Sequence, residues 1–359
     1  MENNLLKTVG ILRASPTDTL SSAVAQVVNS HDAVFIFDES DHFHGVINPY
    51  YTLIQSSYPA GTKVERCLFH PPRIAPTDTI ERIAQMMKES KIHYLPVFDD
   101  KNKFLGITTA RRVMQTMLGH TVVKQTLAQV LENKQKPLIS VYETDAISQA
   151  LHLFKEHKIS KLVVIKKDLK LQGILSYFDL IPYLIAPGRK EKAGNRSGEK
   201  VQFGDMKVKN FMKTATLTCG PEHTVEDAIN TMLKQHIGSI VVVDQQNNPM
   251  GIVTIKDILH LLADTGSDND TSVVVKHGSE AVDRYVRDLE SFLEEHMTHH
   301  PQVKETQIVV DEMKEGKLHK LAVHIQYHHG DPAVVEREGR DLPDMVKDIK
   351  HAITNLHRS

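Results

Sequence analysis

The chain has no tryptophan, two cysteines and only 6% aromatic residues. Cys67 and Cys219 fit no metal or disulfide spacing and read as buried thiols of a reducing compartment. No stretch approaches the roughly 18 consecutive apolar residues of a membrane span. The opening Met1-Glu2-Asn3-Asn4-Leu5-Leu6 lacks the charged-then-apolar order of an export signal. A cytoplasmic protein without membrane contact is therefore expected. Also missing are a glycine-rich phosphate loop, a metal-ligand set and a nucleophile beside a base. The chain is expected not to be an enzyme, and to use neither a catalytic cofactor nor a metal.

What remains is enough for two or three domains: 359 residues, 40% of them apolar and 25% charged. The net charge of −2 decides nothing about polyanionic partners, because local distribution governs those contacts.

An internal repeat organises most of the chain. Four segments open at Asp18-Thr19-Leu20, Asp78-Thr79-Ile80, Asp145-Ala146-Ile147 and His223-Thr224-Val225. Each continues through an amphipathic helix and two short apolar strands to a glycine: Gly45, Gly106, Gly173 and Gly251. The opening-to-glycine separations are 27, 28, 28 and 28 residues. Asp18, Asp78 and Asp145 are expected to offer carboxylate oxygens to orphan N–H groups at the helix starts. In the second segment Ile80, Ile83, Ala84 and Met87 recur at helical spacing and predict one buried face. Runs such as Ser239-Ile240-Val241-Val242-Val243 predict strands covered by helices.

The repeat resembles the CBS domain over about three quarters of the chain, most closely at Gly251-Ile252-Val253-Thr254-Ile255-Lys256-Asp257-Ile258-Leu259. The resemblance implies βαββα units working in pairs, one with two and three with four. It also implies that two such modules form a disc, within a chain or across a homodimer. The boundaries read as 1–60, 61–122, 123–187 and 206–264 for the repeats, with a basic linker at 188–205.

The same resemblance implies an adenosine site of the pattern glycine, two apolar residues, serine or threonine, two residues, aspartate. The glycine admits a close backbone approach, the helix start offers donors to phosphate, and the carboxylate accepts from ribose hydroxyls. Gly173 through Ser176 to Asp179 fits, as does Gly251 through Thr254 to Asp257. The first repeat has Tyr51 at the aspartate position, and the second has Arg112 beside Arg111. An adenine nucleotide (AMP, ADP or ATP) is therefore expected at Ser176, Asp179, Thr254 and Asp257. Ile159, Lys161, Ile237 and Ser239 would line the adenine and phosphate region. The plainer alternative is that both aspartates simply occupy a first helical turn, where carboxylates are favoured.

Beyond a polar linker at 265–270 the pattern changes. A strand at Ser272–Lys276, a helix from about Ser279 to His296, strands near Val303–Val310, Leu318–Tyr327 and Ala333–Glu338, and a helix from Leu342 to His357 are expected. The fold class is thus α+β: paired CBS modules followed by a β-α-β-β-β-α sandwich at 271–359. That order, with the run Val335-Glu336-Arg337-Glu338-Gly339-Arg340-Asp341-Leu342-Pro343-Asp344-Met345, looks like the ribosome hibernation-promoting factor family. The resemblance implies docking on the small ribosomal subunit. Lys320, His324, Lys347, Lys350, His351 and Arg358, with Arg189 and Lys190 of the linker, would then contact RNA. Against this, residues 271–359 hold 12 Lys and Arg and 16 Asp and Glu. The pairs His299-His300 and His328-His329 do not make metal sites, because neighbours on a strand point to opposite faces.

Two functions follow. One is a nucleotide-sensing, homodimeric factor that silences translation on the small subunit. The other is an adenine-nucleotide-responsive regulatory subunit of a metabolic enzyme or transporter. Neither calls for DNA.

Overall fold

The computed structural model describes residues 5–27, 33–134, 137–186, 203–263, 270–277, 280–313 and 318–356. The first repeat holds β1 (Arg13–Ala14), α1 (Leu20–Ala25), β2 (Val34–Phe37), β3 (Phe43–Ile47) and a π-helix at Tyr50–Gln55. The second holds α2 (Ile80–Ser90), β4 (Tyr94–Phe98), β5 (Phe104–Thr109) and α3 (Ala110–Thr116). After a connecting α4 (Leu127–Asn133), the third holds β6 (Ser140–Tyr142), α5 (Ile147–Glu156), β7 (Lys161–Ile165), β8 (Leu171–Ser176) and α6 (Tyr177–Leu184). The fourth holds β9 (Thr218–Cys219), α7 (Val225–Lys234), β10 (Ser239–Val243), β11 (Pro249–Thr254) and α8 (Ile255–Ala263). The C-terminal region adds β12 (Asp270–His277), α9 (Glu280–His299), β13 (Val303–Met313), β14 (Leu318–Tyr327), β15 (Ala333–Gly339) and α10 (Leu342–Leu356).

By internal contacts the chain divides into two compact units. One gathers Met1–Thr8, Phe69–Thr109 and Leu259–Ser359, the other Val9–Leu68 and Ala110–Ile258.

Within the second of these units the repeats share one sheet plan. A leading strand pairs parallel to the central strand, which pairs antiparallel to the third, in the orders β1-β2-β3, β6-β7-β8 and β9-β10-β11. The register is conserved too: Ile36 faces Gly45, Val164 faces Gly173, and Val242 faces Gly251, each just before a bulge. Each hairpin also places one residue at positive φ, namely Asp41, Leu169 and Asn247. The third and fourth repeats form a pair. Val163, Ile165 and Val241 are buried together, with Ile174, Val243 and Ile252 packed against them.

The repeats tie together through glycine. A Cβ on Gly173 would lie 2.4 Å from the Lys213 carbonyl oxygen. Only a residue without a side chain admits that approach. Ile174 and Lys213 then exchange two backbone hydrogen bonds, of 3.0 and 2.8 Å.

The helix starts differ from expectation. Thr19, Thr79 and Thr224 are the caps, each accepting from an N–H three residues on. Asp18, Asp78 and Asp145 stand one residue earlier, and their carboxylates turn back to the N–H groups of Ser15, Ala75 and Tyr142. The helices begin one residue later than the carboxylates could reach forward. The first repeat also departs after its glycine. Asn48 Oδ1 accepts from Tyr50 N at 2.9 Å and Tyr51 N at 3.3 Å, opening a π-helix instead of an α-helix. At the end of the linker, 203–205 forms a 3-10 turn with Phe203 stacked on Tyr183. Residues 188–202 and 265–269 lie outside the described residues.

In the other unit, β4 and β5 pair antiparallel with Val97 opposite Gly106. The C-terminal region forms a four-stranded sheet in the order β12-β13-β14-β15. Its core joins Val286, Leu289, Leu293 and Met297 of α9 to Ile308, Val310, Leu321 and Val323 of the sheet and to Val346, Ile349 and Ile353 of α10. Leu356, in the last turn beyond Ile353, is 43% exposed. Helix α9 also runs one turn past its expected end at His296, to His299.

One cap is missing: Ala146, at the start of α5, has no side chain to accept a hydrogen bond. Its counterpart Thr19 makes the same kind of antiparallel bridge, to Lys63 as Ala146 does to Lys207, and still caps its helix. Ala146→Thr is expected to raise unfolding stability by about 1 kcal/mol, measured by urea denaturation; no gain would show that α5 starts without needing a cap.

Candidate ligand site

The site lies between the third and fourth repeats. Each aspartate of the sequence pattern closes a small ring at a helix start. Ser176 N donates to Asp179 Oδ2 at 2.9 Å, and Thr254 N donates to Asp257 Oδ2 at 2.7 Å. The hydroxyls differ in use: Thr254 Oγ1 donates to Asp257 Oδ2 at 2.7 Å, whereas Ser176 Oγ donates to the Ser160 carbonyl at 3.2 Å. The capping role expected of a first-turn carboxylate is thus real, and both side chains also reach lysines. Lys213 Nζ lies 2.9 Å from Asp179 Oδ1, and Lys134 Nζ lies 2.7 Å from Asp257 Oδ2. Lys134 further donates to the Ile252 carbonyl.

These two ion pairs are not alike. The Lys213 side chain is 75% exposed, so solvent screens its pair and it holds Asp179 weakly. Lys134 is only 23% exposed and sits on a 17% exposed Asp257. Neither lysine was among the residues expected at the site. Sequence reading passed over them because they lie at the leading ends of the third and fourth repeats, outside the glycine-to-aspartate pattern, and each pairs with the aspartate of the other repeat.

The other expected residues gather here as well. Lys161 opens β7 opposite Ser176, and Ser239 opens β10 opposite Thr254. Lys161 Nζ sits close over Gly238, 3.1 Å from where a Cβ there would be. Ile159 and Ile237 precede these strands. The second repeat reaches the same wall: Arg111 donates to the carbonyls of Met232 at 3.0 Å and Ile237 at 3.1 Å. In the first repeat Tyr51, at the aspartate position, is raised far above the usual phenol range by burial.

Lys161 carries the electrostatic cost of the arrangement. Burial holds its amine down to about 8, opposed by the charge of Asp179 and reinforced by Lys213 and Arg111. Among the described residues no carboxylate comes within ion-pair distance of its Nζ. The thiols play no part: burial raises Cys67 to about 11 and also raises Cys219, so neither is a ready nucleophile.

The folded protein releases the Lys161 proton near pH 8, while the unfolded chain keeps it to about 10.4. The penalty is therefore full below pH 8 and vanishes as pH climbs past the unfolded value. Lys161→Met should stabilise the protein at pH 7 by up to about 3 kcal/mol, an advantage that shrinks between pH 8 and about 10.4. Urea unfolding at pH 7 and pH 10 measures it; a variant less stable at pH 7 would mean that Lys161 is not held at a cost.

Comparison with known proteins places these repeats. The CBS domain family matches residues 67–119, 131–186 and 208–264. The first repeat, with its π-helix, falls outside the matched stretches. The chain is 27% identical over 188 residues to an uncharacterized protein of Methanocaldococcus jannaschii, covering 52% of this chain and 44% of that one. It is 25% identical over 197 residues to the 5'-AMP-activated protein kinase subunit gamma-3 of Sus scrofa, covering 53% and 37%. The matched stretch thus spans less than half the length of these two relatives. A solved Methanocaldococcus jannaschii structure, described as a suggested archaeal homolog of g-AMPK, superposes with a TM-score of 0.58 at 17% identity. It covers 71% of this chain and 97% of its own, a likeness of fold. These matches place CBS domains at residues 67–119, 131–186 and 208–264, under half of the chain, with sequence similarity to the AMPK gamma-3 subunit.

Proposed function

We propose that the protein is a non-catalytic regulator that senses an adenine nucleotide in the cleft between its third and fourth repeats. The observation that carries this is that Asp179 and Asp257, each on a helix start, lie near enough to the half-buried Lys161 for both charges to act on its amine. A ribose needs acceptors and a phosphate needs donors and positive charge, and the cleft supplies both. The γ subunits among the relatives are named for AMP activation, which supports the same ligand class. The carboxylates bind the sugar by displacing Lys213 and Lys134. AMP, ADP and ATP are all candidate ligands under this reading.

Nucleotide acts on a partner only through different affinities for two states of the protein. As the responding partner we favour a protein, with this chain as a regulatory subunit. A second reading, docking on the small ribosomal subunit, is supported by the β-α-β-β-β-α element order of the C-terminal region. Its charge works the other way. Lys320 pairs with Glu336 and Lys350 with Asp288, both at 2.8 Å. His324, Lys347 and His351 are exposed and remain available to phosphate, while Arg358, Arg189 and Lys190 lie outside the described residues.

Isothermal titration of the full chain with AMP, ADP and ATP tests the ligand. Asp179→Asn with Asp257→Asn, which keep the cap geometry, are expected to weaken binding roughly 10–100-fold, the worth of charge-assisted hydrogen bonds; unchanged affinity sinks the site. Sucrose-gradient sedimentation of lysate from starved cells separates the partners: comigration with small subunits favours the ribosome, and absence from them favours the protein partner.

A further inference from the structure

The third and fourth repeats superpose residue for residue through their glycines, so each group in one half of the cleft has a counterpart in the other. Ile159, Ser160 and Lys161 correspond to Ile237, Gly238 and Ser239, since Lys161 faces Ser176 as Ser239 faces Thr254. The first and second repeats correspond likewise, with Tyr50 of the first at the place of Arg111 in the second, five residues after each glycine. The contacts follow that correspondence. Tyr50 donates its hydroxyl to the Phe154 carbonyl at 2.7 Å, and Arg111 donates to the Met232 carbonyl at 3.0 Å. Phe154 and Met232 both stand five residues before the Ile159 and Ile237 walls.

The two halves are therefore alike in shape and unlike in charge. Around Ile237 and Gly238 lie two cations, the Arg111 guanidinium bonded to the wall's own carbonyl and the Lys161 amine against Gly238. Around Ile159 and Ser160 the corresponding groups are neutral: the Tyr50 hydroxyl and Ser239, which is 6% exposed. Gly238 leaves room for the amine. With a side chain there, as Ser160 has in the other half, the Lys161 amine would be crowded at 3.1 Å.

We infer that the half-site at Ile237–Gly238 is the one that takes a phosphate, with Lys161 as its specificity-determining residue, and that the half at Ile159–Ser160 takes only an unphosphorylated nucleoside. This rests on the nucleotide reading above and adds which wall reads the phosphate and through which residue. Arg111 acts as a positioning residue: its bonds to two carbonyls hold the Ile237 wall against the amine. A phosphate brought to Lys161 supplies at bonding distance the counter-charge that Asp179 and Asp257 supply only from further away, and a charge-assisted hydrogen bond is the stronger kind.

The test is calorimetric titration of the full chain with AMP and with adenosine, for the natural protein, Lys161→Ser and Lys161→Arg. The natural protein is expected to bind AMP at least about tenfold more tightly than adenosine, the scale of one charge-assisted hydrogen bond. Lys161→Ser, which gives the third repeat the residue of the fourth, should bring AMP down to adenosine's affinity and leave adenosine unchanged. Lys161→Arg should keep the preference, and thermal unfolding of both variants confirms that they are folded. Equal affinity for AMP and adenosine in the natural protein, or a preference that survives Lys161→Ser, overturns the inference while leaving nucleotide binding intact. Binding of neither ligand overturns both.

Discussion

Gly173 lets the backbone of the third repeat touch the segment leading into the fourth, and the cleft depends on that contact. The two hydrogen bonds between Ile174 and Lys213 extend the β7–β8 hairpin sideways onto residues that are distant in sequence. Their formation places the Lys213 side chain on Asp179. The same closeness brings the two sheets together over Val163 and Val241. Any Cβ at residue 173 would collide with a carbonyl oxygen, and a backbone atom cannot swing aside as a side chain can. The fourth repeat solves the same problem with different material: a Cβ at Gly251 would meet the Leu131 side chain, and Lys134 beside it bonds the Ile252 carbonyl.

On that frame, structure and recognition use the same atoms. Asp179 and Asp257 satisfy orphan N–H groups at their helix starts and so hold themselves rigidly at the cleft. A carboxylate fixed by a cap loses little further freedom when it binds a sugar, which favours affinity. Lys161 is the opposite case. The charges of Asp179 and Asp257 only partly offset the burial that pushes its amine down. That cost to stability fits the binding role proposed for it.

The C-terminal region has neutralised much of its own surface charge. Lys320 on β14 faces Glu338 of β15 and Asp311 of β13 in the strand register and pairs with neighbouring Glu336. Lys350 pairs with Asp288 and also lies over the Phe292 ring, 5.4 Å from its centre. In the same compact unit, Arg82 of α2 pairs with Glu290 of α9 and approaches Glu294 at 3.8 Å. Helix α9 thus spends its acidic residues on holding neighbouring elements, which local sequence patterns do not reveal.

The repeat, its strands and helices, and the two serine or threonine and aspartate pairs were all legible in the sequence. They are local: hydrophobic period, turn chemistry and residue spacing act within a few residues of one another. The helix caps were misread by one position, since aspartate and threonine compete for the same N–H groups and only backbone geometry decides between them. The sequence by itself determined what each repeat is made of. Tertiary structure alone decided that Lys134 and Lys213 cover the two aspartates, that Arg111 of the second repeat braces a wall of the fourth, and that Lys161 lies over Gly238. Those contacts join residues 34 to 126 positions apart, and only chain packing brings such groups within reach of one another.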